Sequence, residues 1–132
     1  MPIDIPDRWT LYVLESDEAV RESICALAAS NGWQYRAFET ARAFSEAKPG
    51  ITAACLLMDW DLPDTQPAVF FRVLRESEPK LPVVVMTARD DGPTLARIRR
   101  AGSDAVLPRP FSFSELSGAV AKAFATDKAT LR

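Results

Sequence analysis

The feature that most constrains the fold of this chain is a regular alternation of short strand-like runs with longer segments of helical period. The runs lie at residues 9–14, 34–38, 53–58, 82–86 and 105–108. Residues 53–58 are apolar at every position, which is typical of a strand buried on both faces of a parallel sheet. Alternation with such short connections requires right-handed crossovers. We therefore predict an α/β fold in three layers, with a five-stranded, doubly wound parallel sheet between two layers of helices.

A segment with helical spacing follows each of these runs. The third segment begins at Pro67, which suits the first turn of a helix, and its pattern predicts Phe70, Val73 and Leu74 on the inner face. The fifth opens with Ser112 to Glu115, which matches a capping box. The other markers are Val20, Ile24, Leu27 and Ala28 before Asn31 in the first helix, Thr40 as N-cap of a second helix to about Ala47, Leu95, Ile98 and Ala101 before Gly102 in the fourth, and Leu116, Ala119, Val120, Ala123 and Phe124 in the fifth.

Three counts exclude whole classes of function. The chain has no histidine, which excludes Ser–His and Cys–His catalytic pairs and imidazole metal sites. Its 5 glycines never lie closer than ten positions apart, which excludes the G-x-G-x-x-G and P-loop phosphate cradles. The 16 basic and 18 acidic residues give a formal charge of −2. Because this balance lacks a broad basic footprint, we expect no nucleic-acid partner for this chain.

The length and the termini predict a single domain in the cytoplasm. We expect a single domain over residues 1–132, with a core at about 9–124 and no effector domain in the chain. The start is acidic and interrupted by proline, unlike a secretory signal, and no apolar run approaches the roughly 18 residues of a membrane span. Cys25 and Cys55 lie in apolar segments without a C-x-x-C motif, so both are predicted to be reduced, buried thiols.

Polar side chains collect where the predicted strands end. In an open parallel sheet, ligands bind at the carboxyl ends of the strands, so these residues should share one rim. Four distant segments deliver acids, a hydroxyl and a cation to that rim. They are Glu15-Ser16-Asp17 after the first strand, Asp59-Trp60-Asp61 after the third, Thr87-Ala88 after the fourth and Arg109-Pro110 after the fifth.

These segments carry a resemblance to a known family. LESDEAVR at 14–21, LMDWDLP at 57–63, VMTA at 85–88 and PRPF at 108–111 resemble the four signature segments of response-regulator receiver domains. The match extends over roughly residues 9–124, in the same order and spacing. It implies a flavodoxin-like (βα)5 fold with strand order 2-1-3-4-5. It also implies a phosphoacceptor signalling domain and not an enzyme, capable at most of self-phosphorylation from small phosphodonors and of autodephosphorylation.

The resemblance assigns a role to each residue of the rim. Asp59 occupies the acceptor position for a phosphoryl group from a histidine kinase or phosphotransfer protein. Thr87 occupies the position of the hydroxyl switch, and Arg109 replaces the usual lysine. Mg²⁺ would be held by Glu15, Asp59 and the backbone carbonyl of Asp61, with Ser16 as a further candidate ligand. Helix 4, strand 5 and helix 5 would form the surface for a homodimer or a downstream protein.

Three departures from the family pattern weaken these expectations. Receivers carry two adjacent acids after the first strand, and here these fall on Glu15 and the neutral Ser16, so Mg²⁺ binding should be weak. Arg109 has a planar fork that favours carboxylates, so it would be able to hold Asp59 in a fixed ion pair. Val106 stands where an aromatic switch residue is usual. Asp17, Trp60 and Ala88 lie near the site, and Trp60 is expected to pack at the surface.

Two other functions stay open on the sequence alone. The departures at Ser16, Arg109 and Val106 favour a pseudo-receiver, a protein-interaction module that works without phosphorylation. More remotely, Asp59-Trp-Asp61 resembles the D-x-D motif of haloacid-dehalogenase phosphatases, in which the second aspartate is a general acid and base. The chain lacks residues for a cap and for a downstream acidic metal pair, and Pro63 stands where that motif has a hydroxyl residue.

Overall fold

The computed structural model describes residues 5–126, and it contains the predicted five strand–helix pairs. The strands are all parallel and lie in the order β2-β1-β3-β4-β5. The predicted three-layer fold and strand order are therefore confirmed. In chain order the elements are β1 (Thr10–Leu14), α1 (Glu18–Ser30), β2 (Gln34–Phe38), α2 (Ala41–Ala47), β3 (Ala54–Asp59), α3 (Pro67–Ser77), β4 (Val83–Thr87), α4 (Gly92–Ala101), β5 (Ala105–Pro108) and α5 (Phe113–Ala125).

Two apolar cores cover the two faces of the sheet, because successive side chains of a strand point to opposite faces. In β3, Leu56 and Met58 face α2, α3 and α4, whereas Cys55 and Leu57 face α1 and α5. All six residues of β3 are buried, as expected of a central parallel strand. None of the helices formed by residues 5–126 is long and apolar enough to cross a membrane.

The inner face of α3 differs from the prediction. Phe71 and Leu74 are the buried residues, Phe70 is only partly buried, and Val73 is 54% exposed. Val73 lies two positions beyond Phe71, about 200° around the helix, and therefore points outward when Phe71 points to the sheet. A pattern of apolar residues at 70, 71, 73 and 74 fits two overlapping faces, and packing against the sheet decides between them.

Smaller differences concern one helix face and two strand ends. Cys55 is buried as predicted, but Cys25 is only partly buried, because α1 places it at the margin of the apolar face, and neither cysteine is in a disulfide. The third and fourth strands each run one residue further than predicted, to Asp59 and Thr87. The acceptor-position aspartate and the hydroxyl residue are thus the last residues of their strands, held by the sheet itself.

Side-chain caps fix where the helices begin, and one of them ties the loop after β3 to another helix. Asp17, Thr40 and Ser112 cap α1, α2 and α5, and the predicted capping box at Ser112 is present. Asp64, in the loop between β3 and α3, accepts hydrogen bonds from the backbone N–H groups of Ala41 (3.1 Å) and Arg42 (2.9 Å). These are N–H groups of the first turn of α2, which have no partner within the helix.

We expect Asp64→Ala to lower the free energy of unfolding by about 1–2 kcal/mol, because two N–H groups at the start of α2 lose their acceptor. Denaturant unfolding of the parent and the variant measures this difference. Asp64→Asn keeps an acceptor oxygen and should lose less, and Asp90→Ala, in an exposed loop, serves as a control. Equal stability of Asp64→Ala and the parent would show that the contact does not hold the loop.

Candidate functional site

The register of the sheet places Glu15 next to Asp59. Leu14 of β1 pairs with Met58 of β3, so the residues that follow them, Glu15 and Asp59, lie side by side on neighbouring strands. Both are buried, with 1% and 6% of the residue surface exposed. Two carboxylates in such a position need a positive charge close by.

Arg109, the residue that follows β5, supplies that positive charge. Its backbone N–H donates to the carbonyl of Thr87 (2.9 Å), which holds residue 109 beside the end of β4. The Nη2 atom contacts Glu15 Oε1 and lies 3.5 Å from Asp59 Oδ1. One nitrogen therefore bridges both acids. The guanidinium is partly buried, and this burial lowers the pKa of Arg109 from its ordinary value. Its Nε has no hydrogen-bond partner among the described residues.

The loop between β1 and α1 holds Glu15 in a fixed orientation. Glu15 Oε2 accepts a hydrogen bond from the backbone N–H of Asp17 (3.0 Å), so both of its carboxylate oxygens are engaged. Arg21, one turn into α1, donates to the carbonyls of Glu15 (2.9 Å) and Ser16 (3.2 Å). No role for Arg21 was predicted from the sequence. Its position four residues after the N-cap Asp17, inside the matched segment, was the available signal.

Burial dominates the electrostatics of Asp59. It raises the pKa of Asp59 from 3.8 to about 6, and the nearby Asp61 carboxylate adds to the rise. Hydrogen bonds from the backbone N–H groups of Asp61 and Trp60 partly oppose it. The Asp61 N–H lies 3.3 Å from Asp59 Oδ1. The carboxyl group is therefore easier to protonate than an ordinary aspartate.

The Thr87 hydroxyl is bonded to the loop that follows β4. It accepts from the backbone N–H of Arg89 (3.0 Å) and lies 3.2 Å from the Arg89 carbonyl, to which it donates. The neighbouring Ala88 is exposed. Val106 is partly buried against the core on the α2–α4 face, next to Val85 of β4.

Trp60 lies in the core, contrary to the expectation that it packs at the surface. Only 5% of its surface is exposed, and it packs in the same cluster as Met58. The alternation of β3 continues past its last residue, so Trp60 points to the same face as Met58 while Asp59 points to the other. The sequence predicted that the third strand ends at Met58, so it did not indicate that the alternation of inward and outward side chains continues to Trp60.

Asp61 and Arg89 form an ion pair at the rim of the site. Arg89 Nη2 lies 3.1 Å from Asp61 Oδ1, and the two side chains are 56% and 46% exposed. The carboxylate of Asp61 is therefore turned to Arg89 at the surface. Arg89 was not predicted as a site residue, because nothing in a single sequence indicates which exposed arginine pairs with which acid.

The described residues do not provide a good set of ligands for a divalent cation. Glu15 is bonded through both oxygens, Ser16 is neutral, and the carboxylate of Asp61 is engaged at the rim. Residues 5–126 contain no cluster of three or more acidic, cysteine or histidine side chains that would hold a metal. Mg²⁺ prefers six oxygens in octahedral geometry. Here the guanidinium of Arg109 lies between the two buried acids.

An apolar cleft opens beside Arg109. Its volume is about 570 Å³, and α1 and the segment after β5 form its walls. The lining residues include Ala19, Val20, Ile24 and Leu27 from α1 and Pro110 and Phe111 from the other wall. This cleft gives an apolar surface next to a charged site.

Comparisons with known proteins identify one family. Residues 11–121 match the sequence model of the response regulator receiver domain. The chain is 26% identical over 113 residues to the transcriptional regulatory protein FixJ of Bradyrhizobium diazoefficiens, covering 86% of this chain and 55% of that protein. It is 26% identical over 110 residues to the response regulator protein TmoT of Ectopseudomonas mendocina, covering 83% and 50%. The chain thus spans about half the length of these curated relatives.

A solved structure agrees with this result at the level of the fold. The crystal structure of FixJ-N superposes with a TM-score of 0.81 at 24% identity, over 90% of this chain and 95% of that one. Receiver domains generally bind Mg²⁺ at the site of phosphorylation. This chain therefore shares the fold of the family. The side chains around Asp59, however, are engaged in other contacts and do not form a good set of metal ligands.

We expect the stability of the parent, measured in EDTA, to fall as the pH rises between about 4 and 6. Asp59 has a raised pKa in the folded state, about 6 against 3.8, so the folded protein binds more protons in this range and loses stability as they dissociate. Asp59→Asn removes this step and should be more stable than the parent by about 1–2 kcal/mol at neutral pH.

Denaturant unfolding at several pH values measures how the free energy of unfolding depends on pH in the parent and in Asp59→Asn. Asp90→Asn, in the exposed loop after β4, serves as the control and should keep the slope of the parent. If the parent and Asp59→Asn respond equally to pH, burial does not control the ionisation of Asp59.

Proposed function

Because this chain belongs to the response regulator receiver domain family, we propose that it accepts a phosphoryl group on Asp59 from a histidine kinase or phosphotransfer protein. The observation that carries the proposal is the position of this carboxylate. It lies at the carboxyl end of the central strand β3, with 8% of its side chain exposed, and a guanidinium lies 3.5 Å away. The nucleophilic oxygen of Asp59 and the positive charge of Arg109 thus lie next to each other.

The proposed reaction moves one phosphoryl group. A carboxylate oxygen of Asp59 attacks phosphorus, the bond from phosphorus to the imidazole nitrogen of the donor breaks, and that nitrogen keeps the electron pair and is then protonated. Charge builds up on the phosphoryl oxygens, and positive side chains and hydroxyl donors stabilise it. Arg109 would pair with these oxygens. The Thr87 hydroxyl, now bonded to the backbone of Arg89, would turn to donate to one of them.

The apolar cleft beside Arg109 suits the docking of the phosphodonor protein. Val20 and Phe111 are partly buried residues on opposite walls, and Arg109 lies at the end of the cleft near Asp59. A partner with an apolar helix face would bury its surface here and bring its phosphoimidazole over the carboxylate. This arrangement accounts for a large apolar surface next to the site.

The output surface is proposed on α4, β5 and α5. Thr87 pairs with Pro108 of β5, and Val85 with Val106, so a movement of the Thr87 hydroxyl and its loop reaches β5 through the sheet. Exposed Arg99 and Arg100 lie on α4. A second copy or a downstream protein would read this surface. The relatives FixJ and TmoT are named as a transcriptional regulatory protein and a response regulator, and we propose a comparable signalling role in the cytoplasm.

A pseudo-receiver is the second candidate, and a specific contact favours it. The guanidinium of Arg109 contacts Glu15 and bridges to Asp59, so the site is charge-compensated before any phosphoryl group arrives. In this case the domain would bind its partner in one fixed state, and modification of Asp59 would play no part.

Intact mass after incubation with acetyl phosphate decides between the two candidates. We expect the parent to gain one phosphoryl group and Asp59→Asn to gain none, because the variant lacks the nucleophilic oxygen. Asp90→Asn, in the exposed loop after β4, keeps the acceptor and its surroundings and should be labelled like the parent. Labelling of Asp59→Asn would place the acceptor elsewhere. The absence of labelling in the parent, with and without Mg²⁺ and with a kinase as donor, would favour the pseudo-receiver.

A further inference from the structure

We propose that the guanidinium of Arg109 is the resident cation of this site and takes the place of a divalent metal ion. The inference deepens the proposed function, because it names the charge that would serve Asp59 during phosphoryl transfer. It follows from three features of the described residues: the bridging position of Arg109, the state of the possible metal ligands, and the net charge of the site.

Arg109 bridges the two buried acids of the site. A single nitrogen, Nη2, contacts Glu15 Oε1 and lies 3.5 Å from Asp59 Oδ1. The two acids lie side by side at the ends of β1 and β3, so the nitrogen occupies the space from which a cation would contact both. Arginine suits this position better than lysine, because its planar fork stays charged and can pair with two acceptors at once.

The possible ligands are already engaged. Glu15 accepts from Arg109 at one oxygen and from the Asp17 N–H at the other. Residue 16 is a serine, and Arg21 holds the carbonyls of Glu15 and Ser16. A metal ion with octahedral demands would have to break the Glu15 ion pair and displace the guanidinium.

The charge balance leads to the same result. Ionised Glu15 and Asp59 carry two negative charges and Arg109 one positive charge, so the three groups carry a net charge of −1. At the rim, Asp61 and Arg89 neutralise each other. A divalent ion would make this site positive and would be repelled by the guanidinium at close range.

Arg109 also has a buried N–H group that is able to donate a hydrogen bond to a phosphoryl group on Asp59. Arg109 Nε is buried and has no hydrogen-bond partner within residues 5–126. A phosphoryl group on Asp59 would bring three acceptor oxygens next to this side chain. Guanidinium groups bind phosphoryl oxygens through two parallel N–H bonds. The phosphorylated state would therefore satisfy Arg109 more fully than the carboxylates do.

The test measures how stability depends on Mg²⁺, in EDTA and in millimolar Mg²⁺. A ligand that binds the folded state raises the unfolding midpoint, so the midpoint reports metal binding without any activity. We expect no shift for the parent. Arg109→Met leaves two buried carboxylates without a cation, and its midpoint should be low in EDTA and rise with Mg²⁺.

A second variant and a matched control keep the test decisive. The double variant Ser16→Asp with Arg109→Lys restores a carboxylate and removes the fork, and it should bind Mg²⁺ at least about tenfold more tightly than the parent. Arg42→Met breaks an exposed arginine–glutamate pair on α2, with Glu46, and should respond like the parent. If Arg109→Met does not fold, the double variant alone decides.

Two results would overturn the inference. One is a parent midpoint that rises with Mg²⁺ as much as that of the variants, and the other is the absence of any Mg²⁺ response in both variants. Labelling by acetyl phosphate adds an independent readout, since the parent should be labelled at rates within about twofold in EDTA and in Mg²⁺. A parent that is never labelled contradicts the proposed function, whereas a parent that is labelled only with Mg²⁺ contradicts the resident cation.

Discussion

The parallel pairing of β1 with β3 is the constraint on which the site depends. It places the residues after Leu14 and Met58 side by side, and both of these residues are acids with almost no exposed surface. Buried like charges cannot stand alone, so the fold needs a cation at this point. The cation comes from Arg109, which the pairing of β4 with β5 brings to the same edge. Three strands thus meet in one electrostatic unit.

The loops around this unit are held by contacts that do not belong to the acids themselves. Arg21 fixes the loop after β1 through two carbonyls, and Asp64 fixes the loop after β3 by capping α2. The Thr87 hydroxyl is bonded to the backbone after β4. Of these three, the bonds of Thr87 are the easiest to exchange, because a hydroxyl needs only to rotate. The site therefore combines a rigid acidic centre with one polar group that is able to change partners.

The sequence was sufficient for the architecture because strands buried on both faces, such as β3, have an unambiguous pattern. It also placed Glu15, Asp59, Thr87 and Arg109 at one edge, since strand ends in a parallel sheet share that edge. It was insufficient where a pattern fits two faces, as on α3, and where a side chain chooses among several partners. The pairing of Arg109 with Glu15 is of the second kind, because it depends on distances across three strands.

The two main departures from the family pattern, Ser16 and Arg109, both change the net charge of the site, and their effects are related. Serine at position 16 removes a negative charge and with it a reason to hold a divalent ion. Two acids remain, Glu15 and Asp59. Arginine at position 109 contacts both and neutralises one of their two negative charges. On the proposed function, a phosphoryl group would draw the guanidinium away from Glu15. Glu15 would then lose its cation, and the energetic cost of that buried charge would link phosphorylation to the loop after β1, where Arg21 holds the backbone.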